Sequence, residues 1–451
     1  MLRANRHSEF HYAVFLAHKL PWTDTMECII LYSEIKLFSP RSVDKYQKTK
    51  RSSTNVLTFK RASKSIIMKQ YQKTIGVLSL TYACAALSAS AHGNATLKDG
   101  YANEFLIGTI MPGGLDPNAT FTDNPAELGV VAREFNALTA ENCMKPMFMQ
   151  PNEGEYFFKA SDYCVDFAEA NSMALIGHTL VWHAMTADWF FKDEAGQLPG
   201  RELMLERMRT HIDTVVGRYK GRIPYWDVVN EAVLHQGAGN SAKLRESPWF
   251  KAIGEDYIEL AFRHTHAVDP DAKLYYNDYN MVKKEKVDFV LEMVSGMRAK
   301  GVPIHGVGMQ GHWMLDWPSL SDIEYALRTF ADAGIPVSIT ELDITVLPDP
   351  PSHSGANVTD NIEYAEKYNP YSQSIPDEVL QEQADRYHEI FELFLKYKSN
   401  IERVTFWGTS DAQSWKNSYP IKGRTDYPLL FDRKFNSKPA YHSLLKLSNE
   451  Q

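Results

Sequence analysis

Apolar residues along this chain follow two alternating rhythms. Short, nearly continuous apolar runs stand near Phe105–Met111, Phe135–Thr139, Ala174–Thr179, Tyr225–Val229, Lys273–Asn277, Gly306–Gln310, Pro336–Thr340 and Val404–Trp407. Runs of that length and composition predict strands buried on both faces. Between them lie longer stretches with helical spacing. In Arg201–Tyr219, the residues Leu205, Met208, Ile212, Val215 and Val216 fall on one stripe. In Glu378–Lys398, Leu380, Ala384, Tyr387, Ile390, Phe391 and Phe394 do the same. Strands alternating with amphipathic helices predict a parallel α/β architecture. Eight such units suggest closure into a (β/α)8 TIM barrel, a single catalytic domain, rather than an open doubly wound sheet. No G-x-G-x-x-G follows the first run, so nothing supports a dinucleotide site.

A barrel makes a prediction about where chemistry sits, because its functional side chains cluster at the C-terminal ends of the strands. Polar and aromatic residues follow the apolar runs repeatedly. Strand two leads into Glu141, Asn142 and Lys145, and strand three into His178, Trp182 and His183. Strand four ends in Asn230-Glu231, and strand five in Asn277-Asp278-Tyr279-Asn280. Strand six leads to Gln310 and His312, and strand seven to Glu341 and Asp343. Strand eight ends in Trp407 and leads to Asp411 and Trp415.

Hydrophobic residues make up 44% and charged residues 23% of 451, ordinary values for a soluble globular chain. The charge is unevenly placed. Residues 1–91 hold 14 Lys and Arg against 5 Asp and Glu, so the remainder of a chain with net charge −8 carries −17. An acidic body argues against nucleic acid or an anionic membrane surface as partner and is compatible with a neutral polysaccharide. From Met68 the chain has a basic start at Lys69 and Lys73, an apolar stretch over residues 74–87, and the small-residue triplet Ala89-Ser90-Ala91. Those are the parts of a secretory signal peptide. The expected division is therefore an upstream extension over 1–67, a signal peptide over 68–91 and the barrel over 92–451. A secreted protein follows, extracellular or periplasmic, with no membrane contact in its mature form. Of 4 cysteines, Cys143 and Cys164 would remain. Two cysteines make no disulfide framework, and reduced, partly buried thiols are expected.

Hydrolysis of a glycosidic bond needs a proton for the leaving oxygen and an electron-rich group on the opposite side, and two carboxylic acids supply both. Glu231 and Glu341 are the best pair. Each ends an apolar strand, and they lie three units apart, nearly across a small barrel. Retaining enzymes hold such a pair ~5.5 Å apart. Asn230 is placed to bond a sugar 2-hydroxyl. His312 and Asp343 are placed to hold Glu341 ionised. Trp182, Trp407 and Trp415 follow strands three and eight and suit sugar platforms, whereas Trp226 and Trp249 read as packing residues. His178, His183 and His312 are three possible metal ligands. His178 and His183 fall on opposite faces of an alternating strand, which disfavours a metal.

The segments FNALTAENCMKP, QPNEGEYFF, GHTLVWH, WDVVNEA, YYNDYN, GVGMQGHW, ITELDI and VTFWGTSDAQSW stand in this order. Together they resemble glycoside hydrolase family 10, the endo-β-1,4-xylanases, over about residues 100–447. The resemblance implies a (β/α)8 barrel, a retaining double displacement, xylan or xylo-oligosaccharides as substrate and no cofactor. By motif, Glu231 looks like the acid/base and Glu341 like the nucleophile. Asn230 looks like the 2-hydroxyl partner, and His312 like the histidine bonded to the nucleophile, with Asp343 behind it. Glu141, Asn142 and Lys145 look like hydroxyl ligands one sugar away on the glycone side. His178, Trp182 and Gln310 look like the lining of the cleavage subsite, with Tyr279 in support. Trp407 and Trp415 resemble the tryptophans that crowd out a hydroxymethyl group. The chain departs from the pattern in a Pro-, Ser- and Asn-rich loop over 346–376. A retaining β-glycanase acting on cellulose or mixed-linkage glucan is the rival reading. A non-catalytic sugar-binding barrel is a third, and it predicts the loss of one carboxylate, yet both stand.

Overall fold

The computed structural model describes residues 96–111, 124–235, 241–349 and 366–450. The leader-like segment over 68–91 and residues 350–365 of the loop after strand seven lie outside the described residues. Eight parallel strands form the barrel: β1 (Leu106–Met111), β2 (Ala137–Ala140), β3 (Ala174–Trp182), β4 (Tyr225–Asn230), β5 (Lys273–Asp278), β6 (Gly306–Met309), β7 (Val337–Thr345) and β8 (Ile401–Phe406). The helices that follow them are α1 (Pro125–Glu134), α2 (Lys159–Ala170), α3 (Arg201–Tyr219), α4 (Tyr257–Val268), α5 (Lys284–Ala299), α6 (Leu320–Asp332), α7 (Asp377–Lys396) and α8 (Pro439–Ser448). The strands pair in chain order. β8 closes the ring by pairing with β1, Leu106 opposite Arg403, and with β7, Val337 opposite Ile401.

The helical stripes read from the sequence face the sheet. In α3, Leu205, Met208, Ile212, Val215 and Val216 are all buried. In α7 the buried face includes Ala384, Tyr387, Ile390, Phe391 and Phe394, with Leu380 left partly exposed near the first turn. Burying a side chain of that size is worth ~1.5–3 kcal/mol, so the layer between helices and strands carries most of the stability. Trp226 and Trp249 are buried as packing residues should be, although Trp249 also donates Nε1–H to the Trp182 carbonyl at 3.0 Å. Cys143 and Cys164 are buried and unpaired with each other. The two chain ends of the barrel are tied together. Tyr101 donates its hydroxyl to the Leu444 carbonyl at 2.9 Å, and Tyr441 donates to Glu134 at 3.0 Å.

Two strands run further than their apolar patterns predict. β3 continues to Trp182 after a register shift beyond His178, so that Trp182 lies opposite Asn230. Beyond a similar shift, β7 continues to Thr345 and pairs with the short strand His312–Met314, Asp343 opposite His312. Polar residues interrupt the apolar runs at these points, because the extensions line a cleft instead of a core. The register shift and the end of β3 at Trp182 also remove His183 from the simple alternation assumed for it.

Inside the barrel, space near the C-terminal end is reserved by glycine. Gly308 on β6 lies beside Asn277 on β5, and a Cβ there would sit 2.3 Å from Asn277 Oδ1 and 2.8 Å from Thr340 Cγ2. The missing side chain lets Asn277 reach across the barrel. Gly308→Ala should therefore cost ~1–3 kcal/mol through overpacking. It should also lower kcat, because Asn277 must move. Gly129→Ala on α1, where no atom lies within 4 Å of the added carbon, should leave both unchanged or stabilise slightly. Thermal midpoints and turnover of the two variants, measured side by side, check this. Equal behaviour would sink the argument.

Candidate active site

The strand ends open onto one cleft of about 570 Å³. Thirteen of the side chains singled out from the sequence line it: Glu141, Asn142, Lys145, His178, Trp182, Asn230, Glu231, Tyr279, Gln310, His312, Glu341, Trp407 and Trp415. Asp343 is fully buried behind it, bonded to His312 and Trp415. Asp411 is not among the lining residues. It is buried beside Lys438, with Nζ 3.0 Å from its Oδ2.

Glu231 follows β4 with φ at +57°, a left-handed conformation that is uncommon for a residue with a Cβ. Its backbone is held on both sides. Its N–H donates to the Asn277 carbonyl at 2.9 Å, and its carbonyl accepts from Arg245 Nε at 2.9 Å. The carboxyl group accepts from Trp182 Nε1 and from Gln310 Nε2, each at 3.0 Å. Glu341 accepts from Asn277 Nδ2 at 2.8 Å and meets His312 Nε2 at 3.1 Å. The other nitrogen of His312 lies 2.9 Å from Asp343 Oδ2, which also accepts from Trp415 Nε1 at 2.8 Å. The paired strands explain this chain, since they set His312 opposite Asp343, two residues from Glu341.

The two glutamates are equally hidden, Glu231 at 4% and Glu341 at 5% exposure, so burial alone disfavours ionisation of both. Their neighbours separate them. For Glu231, burial raises the pKa most, and the negative charges of Asp278 and Glu341 add to it against the hydrogen bonds from Gln310 and Trp182. For Glu341, burial is again the largest influence, but the His312 hydrogen bond, the charges of His178 and His312, and the Asn277 hydrogen bond outweigh it and lower the pKa. For His312, burial opposes the charge, yet Asp343 and Glu341 raise its pKa to about 9. The surroundings thus push the two groups apart, with Glu231 shifted toward keeping its proton and Glu341 toward losing it beside a His312 imidazole that favours its charged form.

The remaining walls are aromatic and polar. Lys145 donates to Asn142 Oδ1 at 2.9 Å and lies 5.4 Å from the Trp182 ring centre. Trp407 meets His178 edge-on at 5.5 Å, and Trp415 stacks on Tyr419 at 5.0 Å. His178 Nδ1 lies 3.0 Å from Asp227 Oδ2. Among the described residues, no group of three or more His, Cys, Asp or Glu is arranged to hold a metal ion, and no helix is long and apolar enough to cross a membrane.

The model of glycosyl hydrolase family 10 matches residues 96–447. The chain belongs to that family. It is 40% identical over 361 residues to endo-1,4-β-xylanase A of Xylanibacter ruminicola, covering 80% of this chain and 95% of the relative. It is 39% identical to an endo-1,4-β-xylanase of Geobacillus stearothermophilus, covering 78% and 98%. A family 10 endoxylanase retrieved from a sugarcane soil metagenome superposes with a TM-score of 0.74 at 45% identity, covering 78% of this chain and 99% of that one. Membership of family 10 fixes the chemistry class as glycoside hydrolysis with retention.

Sequence reading missed several residues of this family 10 site. Asn277 is the most important: it bonds Glu341 and donates to Asn230 Oδ1 at 3.0 Å, while accepting from Thr340 at 2.7 Å. The strand-end rule names it at the end of strand five, but nothing in the sequence assigns it a role. Asp227 sits inside a quoted motif in the same way. Arg245 and Lys416 carry no pattern in the sequence. Only the folded loops place Arg245 on Glu231 and Lys416 in the cleft wall.

The raised pKa of His312 has a stability consequence with a definite sign. The folded value of about 9 exceeds the ordinary 6.5. Its contribution is then complete below ~6.5 and is lost as pH rises through ~9, on the order of 3 kcal/mol in all. Thermal midpoints across this range should fall in the wild type. In His312→Asn that part of the slope should disappear, and turnover should drop about tenfold or more with the loss of a charge-assisted hydrogen bond. A variant that keeps the wild-type slope would refute the assignment.

Proposed function

We propose that this chain is a retaining endo-1,4-β-xylanase with Glu231 as acid/base and Glu341 as nucleophile. The observation that carries the reading is the opposite electrostatic setting of two equally buried carboxyl groups in one cleft. Glu341 attacks the anomeric carbon while Glu231 gives its proton to the leaving oxygen. The first step ends in a glycosyl-enzyme on Glu341 and an ionised Glu231. Glu231 then takes a proton from water, which attacks the same carbon and restores the original configuration. Asn277 donates to the Asn230 oxygen, which leaves the Asn230 amide hydrogens for the sugar 2-hydroxyl. Glu141, Asn142 and Lys145 bind hydroxyls one subsite away, and binding energy gained there can be used at the reacting bond.

The choice of xylan over a glucan is supported by the relatives, which carry the name endo-1,4-β-xylanase at 40% and 39% identity. Trp407 and Trp415 act by exclusion, filling the space a glucose hydroxymethyl group would need. Excluding one small group is worth ~1–3 kcal/mol of discrimination. Export follows the reading of residues 68–91 as a signal peptide, with the mature chain starting at His92. N-terminal sequencing of exported protein tests this, and a mature chain that retains residues 1–67 would contradict it.

The function is tested by kcat/KM for aryl xylobioside and aryl cellobioside. The xyloside should be preferred, and NMR should show release of the β-anomer. Glu341→Ala should abolish turnover of both. Glu231→Ala should cripple substrates with poor leaving groups and largely spare the first step for good ones, which need little protonation. A wild-type preference for cellobioside would replace the xylanase reading with the glucanase one. Equal loss on all leaving groups would remove Glu231 from the acid role.

A further inference from the structure

Two charged side chains that take no part in these steps are the most deeply buried ion pair among the described residues. Asp278 ends β5, Lys286 lies in the first turn of α5, and both are fully buried, with Nζ 2.7 Å from Asp278 Oδ1. A buried pair of this kind costs about as much in desolvation as its attraction returns, so stability alone gives it little reason to exist. Its contacts point toward Glu231.

Four donors converge on the Asp278 carboxylate. Lys286 and the Tyr279 N–H, at 2.9 Å, reach Oδ1; the Tyr276 hydroxyl and the Val233 N–H, at 3.2 Å, reach Oδ2. Val233 is two residues beyond Glu231. The Lys286 ammonium also lies 4.1 Å from the centre of the Tyr279 ring. The Tyr279 hydroxyl accepts from Arg245 at 3.0 Å, and Arg245 in turn bonds the Glu231 carbonyl. The left-handed turn Glu231-Ala232-Val233 is therefore gripped from β5 at its first residue through Asn277 and at its third through Asp278. Asp278 also contributes more than Glu341 to the electrostatic setting of Glu231.

We propose that the Asp278–Lys286 pair is the positioning device for Glu231, with Asp278 clamping the turn that carries this carboxyl group and presenting a fixed negative charge to it. The proposal rests on Glu231 being the acid/base. The ionisable groups facing Asp278 are Glu231 after β4, Arg245 in the loop beyond it, Tyr257 of α4, Tyr276 and Tyr279 around the end of β5, and Lys286 of α5. Lys286 offsets the Asp278 charge. Removing one partner or the other should consequently move Glu231 in opposite directions.

The test is the pH profile of kcat/KM on an aryl xylobioside with a poor leaving group, for wild type, Asp278→Asn, Lys286→Met and the double variant. The basic limb reports loss of the Glu231 proton. Asp278→Asn removes a negative neighbour, so this limb should move to lower pH by roughly 0.5–1 unit. Lys286→Met leaves that charge unopposed, so the limb should move to higher pH. The double variant should follow Asp278→Asn, which keeps the proposal decidable if Lys286→Met does not fold. The acidic limb, set by Glu341, should stay in place. Kinetics on an activated leaving group should change far less in Asp278→Asn than kinetics on the poor one. A basic limb unmoved in both Asp278→Asn and the double variant, with lowered thermal midpoints, would overturn the proposal and leave a purely structural ion pair. If Glu231→Ala itself retains the wild-type basic limb, the acid/base reading fails first, and this inference falls with it.

Discussion

Two carboxyl groups, equally withdrawn from water, share one cleft in opposite electrostatic settings. At an effective dielectric constant of 20, like charges about 5 Å apart repel by about 3 kcal/mol. That is enough to move a proton onto one of them unless something intervenes, but it does not say which one. The surroundings decide. Glu341 is given imidazole and amide donors, while Glu231 is given neutral donors and the charge of Asp278. Most of the polar architecture at this end of the barrel serves that asymmetry.

Strand geometry delivers it. The extension of β7 places Asp343 opposite His312 and so aligns Trp415, Asp343, His312 and Glu341 in one hydrogen-bonded series. A β-branched apolar residue at 308 would block the second route, in which Asn277 joins Thr340, Asn230 and Glu341. The same amide thus orients both the Glu341 carboxylate and the Asn230 side chain. Asn277 holds one oxygen of Glu341 and His312 the other, which leaves its carboxylate little freedom to rotate.

The eight strands were legible because each is a short apolar run buried on both faces, and α3 was legible from Arg201 to Tyr219 because its stripe is unbroken. The far ends of β3 and β7 were not, because a strand that lines a cleft carries the cleft's polarity instead of the core's. The strand-end rule gathers Glu231, Glu341, His312 and their neighbours from the sequence alone. It also gathers Asn277 and Asp278 but gives them no role, because they look like ordinary polar residues beside a tyrosine. Arg245 was invisible to it. Nothing local marks an arginine whose importance lies in a carbonyl 14 residues earlier in the chain. Partners brought together by tertiary folding leave no period to read.

The way the ring closes also bears on when the enzyme comes into being. β8 supplies both of the last two seams, one to β1 and one to β7. While the ribosome is still making residues before Ile401, β1 and β7 each present a bare edge, and Trp407 and Trp415 have not yet joined the cleft wall. Most of the cleft-lining residues are translated before β8, but Trp407, Trp415, Lys416 and Tyr419 come after it. Such a nascent chain is chemically silent throughout its synthesis, and its open edges make that interval the time of greatest exposure to aggregation.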